Sequence, residues 1–229
     1  MGIGRIALNL EMVREKVKNR CLKNAIDPSR ILIVGITKSH PAGLASEAVA
    51  AGLTDLGENK VQEASEKISQ VEPRPRWHLV GHLQTNKVKK AVEIFDVIQS
   101  VDSLEVAEAI SSVAGRTGKT MEIYLQVNSS GEHQKSGFQP GDVVEAAKNM
   151  VSLPNLNITG LMTIGPMTEN VELIKKSFGL TQALFERIQS QIGENFNKLS
   201  MGMTGDYELA LDYGANVLRI GTAIFGPRE

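Results

Sequence analysis

Short apolar runs alternate with longer amphipathic stretches along the whole of this 229-residue chain. The first run, Ile31-Leu32-Ile33-Val34-Gly35-Ile36, is rich in β-branched residues, which is typical of a strand buried on both faces. Eight strand candidates of this kind begin near Ile31, Thr54, Trp77, Phe95, Ile123, Ile158, Lys198 and Val217. Apolar residues at helical spacing predict helices between them, over 44–51, 61–71, 85–92, 104–114, 143–151, 171–192 and 207–213.

Strands that alternate with helices form right-handed βαβ units and a parallel sheet. Eight such units, in a chain near the usual length of about 250 residues, predict a single-domain (β/α)8 TIM barrel over residues 1–229. An open sheet that binds a dinucleotide should carry GxGxxG after its first strand, and here Thr37-Lys38-Ser39-His40-Pro41 follows instead. Apolar spacing from Ile6 to Cys21 predicts an extra N-terminal helix that ends near Asp27-Pro28 and covers the bottom of the barrel or flanks it.

The charge balance and the cysteine content exclude several classes of protein. Lys and Arg number 25 against 26 Asp and Glu, so the net charge is −1 and no basic footprint for nucleic acid is expected. The single cysteine cannot form an intrachain disulfide, which suits a reducing compartment. No apolar run approaches the roughly 20 residues that span a bilayer, and Arg5 comes too early for a secretory segment. We therefore expect a cytoplasmic protein without nucleic-acid or membrane partners.

Lys38 is the first candidate for chemistry, because active sites of such barrels lie at the C-terminal ends of the strands. It follows five apolar residues and a threonine, which places its ammonium at the barrel mouth or in its core. A lysine there is either a structural lysine paired with a carboxylate, or an amine of depressed pKa that can form a Schiff base. The position alone leaves both interpretations open.

The loops after strands 7 and 8 form the second candidate site. Barrels of this kind often bind phosphate there, through backbone N–H groups of glycine-rich turns and a helix N-terminus. The first loop is Ser200-Met201-Gly202-Met203-Thr204-Gly205-Asp206, and the second begins with Arg219-Ile220-Gly221-Thr222. Tight turns with capping residues are the alternative for either loop, but together the two loops favour phosphate.

A Schiff-base lysine beside a phosphate site has two explanations: pyridoxal 5′-phosphate (PLP), or a phosphosugar aldolase that works without PLP. The place of Lys38 on the first strand favours PLP. His40, His78, His82 and His133 show no metal-ligand spacing, so no metal site is expected. His78 alternates along its strand and either faces a ligand ring or is a core histidine. The role of Lys135, in a polar turn after strand 5, stays open.

At these residues the chain resembles the pyridoxal phosphate homeostasis protein family, single-domain proteins similar to the barrel domain of bacterial alanine racemase. The matching segments run in family order over nearly the whole chain, and several are long and unusual. They are residues 37–41 (TKSHP), 57–63 (GENKVQE), 77–87 (WHLVGHLQTNK), 135–138 (KSGF), 160–163 (GLMT), 199–203 (LSMGM) and 219–226 (RIGTAIFG).

The resemblance implies a role in intracellular PLP homeostasis, with Lys38 holding PLP as a Schiff base and the protein handing it on to PLP-dependent apoenzymes. It also implies roles for the other site residues. The phosphate would be held by Ser200, Gly221 and Thr222, with Met201 beside them. Arg219 would face the pyridine nitrogen, and Asn59 and His78 would line the ring.

Two further functions remain as alternatives: a PLP-dependent amino-acid racemase or decarboxylase, and the PLP-free aldolase. Racemases of this type add a C-terminal β domain that supplies a second acid or base, and this chain reaches Glu229 directly after the last strand motif. Proton transfer on two faces of a carbanion needs two placed groups, and only Lys38 is evident. We therefore expect no robust turnover, assign no catalytic residue, and expect a monomer or weak dimer.

Overall fold

The computed structural model describes residues 4–132 and 134–227. Its strands form one closed barrel in which each strand pairs in parallel with the next along the chain, and the last pairs with the first. The strands are β1 Leu32–Ile36, β2 Asp55–Glu58, β3 Arg76–Leu79, β4 Val97–Val101, β5 Met121–Val127, β6 Leu156–Thr163, β7 Lys198–Ser200 and β8 Val217–Ile220. The predicted (β/α)8 barrel is confirmed.

Helices surround this barrel and connect its strands. They are α1 Arg5–Lys23, α2 Ala42–Ala50, α3 Val61–Lys67, α4 Val88–Ile94, α5 Leu104–Arg116, α6 Val143–Val151, α7 Val171–Ile192, α8 Tyr207–Asp212 and α9 Thr222–Phe225. Short 3-10 helices cover Pro28–Arg30, Ile68–Gln70 and Thr85–Lys87. None of the helices within these described residues is long and apolar enough to cross a membrane.

Two apolar clusters hold the fold together. The smaller one fills the inside of the barrel and includes Val34 and Ile36 of β1, Val97 of β4 and Tyr124 of β5. The larger cluster lies between the outer face of the strands and the surrounding helices. Side chains of a strand alternate between these two faces, so strand residues two apart share a face. This parity decides which polar residues enter the barrel.

The extra N-terminal helix flanks the barrel. Helix α1 packs against α2, α8 and α9, with Leu10 and Cys21 fully buried, and Asn9 Nδ2 donates to Ile224 O of α9 at 3.0 Å. The helix ends at Lys23, earlier than the predicted end near Asp27-Pro28. Ala25 adopts a left-handed backbone, φ 54°, which breaks the helical repeat before the proline is reached.

Three other predicted boundaries need correction. The helix expected over 61–71 becomes 3-10 helix after Lys67, and the one expected over 85–92 begins as a 3-10 turn and continues to Ile94. The strand expected near Phe95 begins at Val97, because Phe95 is buried against the helical shell. Helix α9 was not predicted, since four residues between Gly221 and Gly226 are too few to show a periodicity.

Candidate functional site

Lys38 lies in the turn that leaves β1 at the mouth of the barrel, two residues beyond the last strand residue. It is half-buried, and it continues the parity of Val34 and Ile36, whose side chains fill the barrel interior. Because β1 has this register, the lysine follows the inward-facing row of the strand. The structure therefore places a primary amine at the mouth, as the sequence predicts.

Asn59 lies beside Lys38, on the neighbouring strand exit. Ile36 pairs with Gly57, and Asn59 follows β2 as Lys38 follows β1. The loop after β3 packs directly on Asn59: a Cβ added at Gly81 would lie 2.2 Å from Asn59 O. Only glycine allows this approach, so Gly81 fixes the half-buried Asn59 at the mouth.

His78 lies inside the barrel below the mouth and begins a chain of buried hydrogen bonds. It is fully buried, and its ring nitrogens lie 2.9 Å from Asp55 Oδ1 and 2.9 Å from Gln99 Nε2. Gln99 Oε1 accepts from Ser200 Oγ at 2.7 Å, and Ser200 Oγ accepts from Arg219 Nη1 at 2.7 Å. Five side chains from five strands thus form one continuous path across the barrel.

Every hydrogen bond along this path is donated in the same direction, from Arg219 toward Asp55. Because Gln99 Oε1 accepts from Ser200, its Nε2 is the donor toward His78 Nδ1. His78 Nδ1 must then be unprotonated, and Nε2–H donates to Asp55. The path therefore runs from the guanidinium of Arg219 to the carboxylate of Asp55, which defines the neutral tautomer of His78.

Arg219 is a buried cation at the centre of the predicted site. It is 4% exposed, and its Nη2 donates to Thr163 O at 2.6 Å. In the described part of the chain no carboxylate lies within ion-pair distance of it. Burial lowers the pKa of Arg219 to about 10, and the more distant Asp206 opposes this shift. A bound anion would relieve the cost of this desolvated charge.

The turn after β8 offers hydrogen-bond donors next to this cation. No side chain caps α9, and the N–H groups of Gly221 and Thr222 make none of the turn or loop hydrogen bonds in the described residues. Ala223 N–H donates to Thr204 Oγ1 of the neighbouring loop at 3.3 Å. Uncapped N–H groups at a helix start are the donors that phosphate accepts from.

The side chains of Ser200 and Met201, two further residues of the predicted site, are already engaged within the protein. The hydroxyl of Ser200 already donates to Gln99 and accepts from Arg219, and Ser200 is fully buried. The side chain of Met201 is fully buried in the outer apolar cluster. Contacts of either residue with a phosphate are therefore contacts of the backbone.

The loop between β7 and α8 is held close to these groups by Gly202. Its φ is +90°, and a Cβ there would meet Ala210 Cβ at 2.7 Å and Tyr207 Cα at 2.9 Å. Gly202 O accepts from Arg219 N at 3.1 Å, which ties this loop to β8. Gly202, which belongs to the first predicted phosphate loop, thus allows this loop to pack closely against helix α8.

The remaining candidates lie at the rim. Lys135 Nζ donates to Glu132 Oε1 at 2.9 Å and to Gly165 O at 2.8 Å, and His82 Nδ1 lies 2.9 Å from Asp102 Oδ2. His40 is buried with its ring 5.5 Å from that of Phe225. His133 is outside the described residues, among which no group of three or more side chains could hold a metal.

Sequence reasoning missed Asp55 and Gln99. Both are polar residues within strands, at positions whose parity directs them into the barrel, which is an available signal. A polar residue in a strand otherwise buried on both faces needs partners inside the protein. Their hydrogen-bond partners lie on other strands that are distant in the sequence. The sequence could therefore indicate that these residues are buried polar groups, but not which residues they bond to.

Comparisons with known proteins match nearly the whole chain. Residues 8–229 match the family described as alanine racemase, N-terminal domain. The chain is 34% identical over 225 residues to the pyridoxal phosphate homeostasis protein of Haemophilus influenzae, covering 96% of this chain and 95% of that protein. It is 36% identical over 225 residues to the protein of that name from Pseudomonas aeruginosa, covering 98% and 96%.

A solved structure has the same fold over nearly the whole of this chain. PipY of Synechococcus elongatus, solved with PLP bound, superposes with a TM-score of 0.84. The two are 35% identical, and the match covers 96% of this chain and 100% of that one.

Proposed function

Because this chain belongs to the pyridoxal phosphate homeostasis protein family, whose barrel is that of the alanine racemase N-terminal domain, we propose that it binds PLP at the barrel mouth and serves in PLP homeostasis. PLP carries three groups that a protein can recognise: a phosphate, a pyridine nitrogen and an aldehyde. The donor set at the mouth fits all three.

The phosphate would lie against the N–H groups of Gly221 and Thr222, with the backbone of Ser200 and Met201 beside it. The charge of the buried Arg219 suits both this anion and the lone pair of the pyridine nitrogen. The half-buried Asn59, next to Lys38, would line the ring. His78 would lie below the ring, with both of its ring nitrogens already hydrogen-bonded.

The aldehyde would meet Lys38. An aldehyde condenses with a neutral primary amine to a Schiff base and releases one water, which is the chemistry PLP supplies when it is bound. The observation that carries the proposal is the register of the first and last strands. Val34 pairs with Arg219, so Lys38 and the Gly221-Thr222 turn leave adjacent strands at the same end of the barrel.

We further propose that the protein holds PLP and hands it to PLP-dependent apoenzymes without robust turnover of its own. A guanidinium facing the pyridine nitrogen donates a hydrogen bond and cannot accept a proton. It favours the unprotonated pyridine, which is a weaker electron sink than the protonated ring. The free, buried Cys21 suits a cytoplasmic location. The placement of the predicted site residues on one barrel suits a monomer or weak dimer.

The test is the visible absorption of the purified protein with PLP, before and after borohydride reduction, followed by peptide mapping. We expect an absorption band that reduction removes, with the label on Lys38. Lys38→Ala should lose the band and keep the fold. A band that survives in Lys38→Ala, with another lysine labelled, would overturn the assignment. Reduction that labels Lys38 only with a sugar phosphate would favour the aldolase.

Transfer needs its own experiment. The PLP-loaded protein is mixed with an apoenzyme that requires PLP, in the presence of an excess scavenger of free PLP. Recovery of enzyme activity faster than recovery with free PLP and the same scavenger supports direct transfer. Equal recovery in the two mixtures would contradict it.

A further inference from the structure

A cluster of three charged side chains, two of them buried, lies directly behind the turn that carries Lys38. Glu58 ends β2, and Glu63 and Lys67 belong to α3. Lys67 forms an ion pair with Glu58 and donates to Glu63 Oε1 at 3.0 Å. Glu58 is fully buried and Lys67 is 5% exposed. We call these three residues the ion cluster; they lie on the outer face of the barrel wall.

The ion cluster bonds to the residues on both sides of Lys38. On one side, Lys67 Nζ donates to Thr37 O at 2.8 Å, and Thr37 Oγ1 donates to Glu58 Oε1 at 2.6 Å. On the other side, Ser39 N–H donates to Glu63 Oε1 at 2.6 Å. The backbone is thus held immediately before and immediately after the lysine.

Ser39 shows that this turn needs to be held. Its φ is 63°, in the left-handed region that glycine adopts freely and that costs other residues roughly 1–2 kcal/mol. Such a conformation persists where the surroundings determine it. Here Glu63 accepts the N–H of Ser39 itself, and His40 N–H donates to Thr37 O at 3.0 Å to close the turn.

Stability alone does not account for such a cluster. Burial raises the pKa of Glu58 although Lys67 and Thr37 both donate to it, and its Oε2 has no partner in the described residues. Apolar side chains of similar volume often replace a buried ion pair with equal or greater stability. What apolar side chains cannot replace is the set of hydrogen bonds to Thr37 and Ser39.

We propose that Glu58, Glu63 and Lys67 are positioning residues that hold the Lys38 turn so that its amine meets a ligand aldehyde at the mouth. This inference rests on the proposed function of Lys38. The ion cluster should affect only the Schiff-base contribution to PLP affinity. The cluster lies outside the barrel wall, and its hydrogen bonds reach the turn of Lys38 rather than the phosphate donors.

The test compares two ligands that share ring and phosphate. PLP has the aldehyde, and pyridoxine 5′-phosphate has an alcohol in its place and cannot form a Schiff base. Glu63 is the residue to change, because its side chain is 29% exposed and its loss should not unfold the protein. In Glu63→Ala we expect about tenfold weaker binding of PLP, equivalent to about 1.4 kcal/mol, and less than about twofold change for pyridoxine 5′-phosphate.

Glu63→Gln keeps the acceptor for Ser39 N–H and should restore PLP binding to within about threefold of the unaltered protein. Glu172→Ala is the matched control. Glu172 pairs with Lys175 on the exposed side of α7, at 2.9 Å, and should change neither ligand. Thermal unfolding of each variant establishes that it is folded.

Equal weakening of both ligands in Glu63→Ala, unchanged PLP binding in Glu63→Ala, or a failure of Glu63→Gln to restore it would each overturn the positioning role. If the unaltered protein binds PLP no better than pyridoxine 5′-phosphate, the proposed Schiff base at Lys38 fails, and the inference fails with it. If the unaltered protein prefers PLP and Glu63→Ala keeps that preference, only the inference fails.

Discussion

Arg219 Nη1 donates a 2.7 Å hydrogen bond to Ser200 Oγ inside the barrel, and the same hydroxyl donates to Gln99 Oε1 at 2.7 Å. Ser200 is therefore the link between the cation of the site and the polar chain that ends at Asp55. Aligned hydrogen bonds polarise one another in a medium of low dielectric constant, so we expect the five side chains from Arg219 to Asp55 to behave as one coupled unit.

Ser200→Ala should interrupt this path of hydrogen bonds between Arg219 and Gln99. The change leaves Gln99 Oε1 and one N–H of Arg219 unpaired, which should lower the free energy of unfolding by about 1–3 kcal/mol and weaken PLP binding. Urea unfolding and PLP titration measure the two effects. Ser111→Ala is the control, since Ser111 Oγ donates to Pro154 O at 2.6 Å, outside the predicted site. It should lose stability and keep PLP binding; equal PLP loss in both variants would contradict the role of the chain.

Thr222→Val keeps the backbone N–H and removes only the side-chain hydroxyl, which we propose also donates to the phosphate. It should weaken PLP binding by about one to two decades, since one charge-assisted hydrogen bond contributes roughly 1.5–3 kcal/mol. The effect should be much smaller for pyridoxal, which lacks the phosphate. Titration of both ligands measures the difference. Thr117→Val is a suitable control, because Thr117 bonds to the end of its own helix α5. Equal losses for PLP and pyridoxal would argue against a phosphate contact at Thr222.

Gly202→Ala should destabilise the protein by about 2–4 kcal/mol, from a left-handed backbone and from overpacking. The added Cβ would meet the backbone of Tyr207 at 2.9 Å and Ala210 Cβ at 2.7 Å. Gly205→Ala, in the same loop, has open space around its Cβ and should change stability by less than about 1 kcal/mol. Urea unfolding of the two variants provides the comparison, and equal stabilities would mean that the loop moves freely.

The lowered pKa of Asp55 leads us to expect that the free energy of unfolding depends on pH. Burial by itself would raise the pKa of Asp55, but hydrogen bonds from His78 and Thr54 outweigh it and lower the pKa below its ordinary value. The stability from ionised Asp55 is then fully present above the unfolded value of about 3.9 and is lost as pH falls through the folded value. Compared with Asp55→Asn, the native protein should be more stable by about 1.5–3 kcal/mol at pH 7. This gap should shrink below about pH 4, and a gap constant from pH 7 to pH 3 would count against the prediction.

Amino-acid turnover should be slow or absent. The PLP-loaded protein is incubated with L- and D-amino acids in heavy water, and α-deuteration and chirality are followed by mass spectrometry and chromatography. Slow exchange without inversion is expected of a site with one proton-transferring group. Sustained inversion at ordinary enzyme rates, about 1–10³ per second, would replace the homeostasis role with a racemase.

The barrel could be predicted because parallel strands buried on both faces leave short β-branched runs, and β1 shows such a run clearly. Strand starts fell within about two residues of the structure, which is the usual scatter of element boundaries. The end of α1 could not be placed, because the backbone turn at Ala25 has no residue signature.

The positions of Lys38 and Arg219 near strand ends could be predicted from the sequence, but the residues that hydrogen-bond around them could not. Ser200 meets Gln99, which lies 101 positions away in the sequence, and Lys67 meets Thr37, 30 positions away, on the outer face of the barrel. Such contacts depend on the register and tilt of the strands, which a single sequence does not encode locally. The hydrogen bond from Lys135 to Gly165 O at the rim likewise depends on the three-dimensional arrangement of the strands.

The pairing of β1 with β8 has a consequence for synthesis on the ribosome. Lys38 emerges with the first strand, whereas Arg219 and the Gly221-Thr222 turn emerge with the last. Synthesis adds about 5–20 residues per second, so the nascent chain contains Lys38 without Arg219 and the Gly221-Thr222 turn for on the order of ten seconds or more. A ligand that needs both strands binds only the closed ring, and so stabilises closure rather than any open precursor. PLP would therefore stabilise the barrel only after β8 has paired with β1.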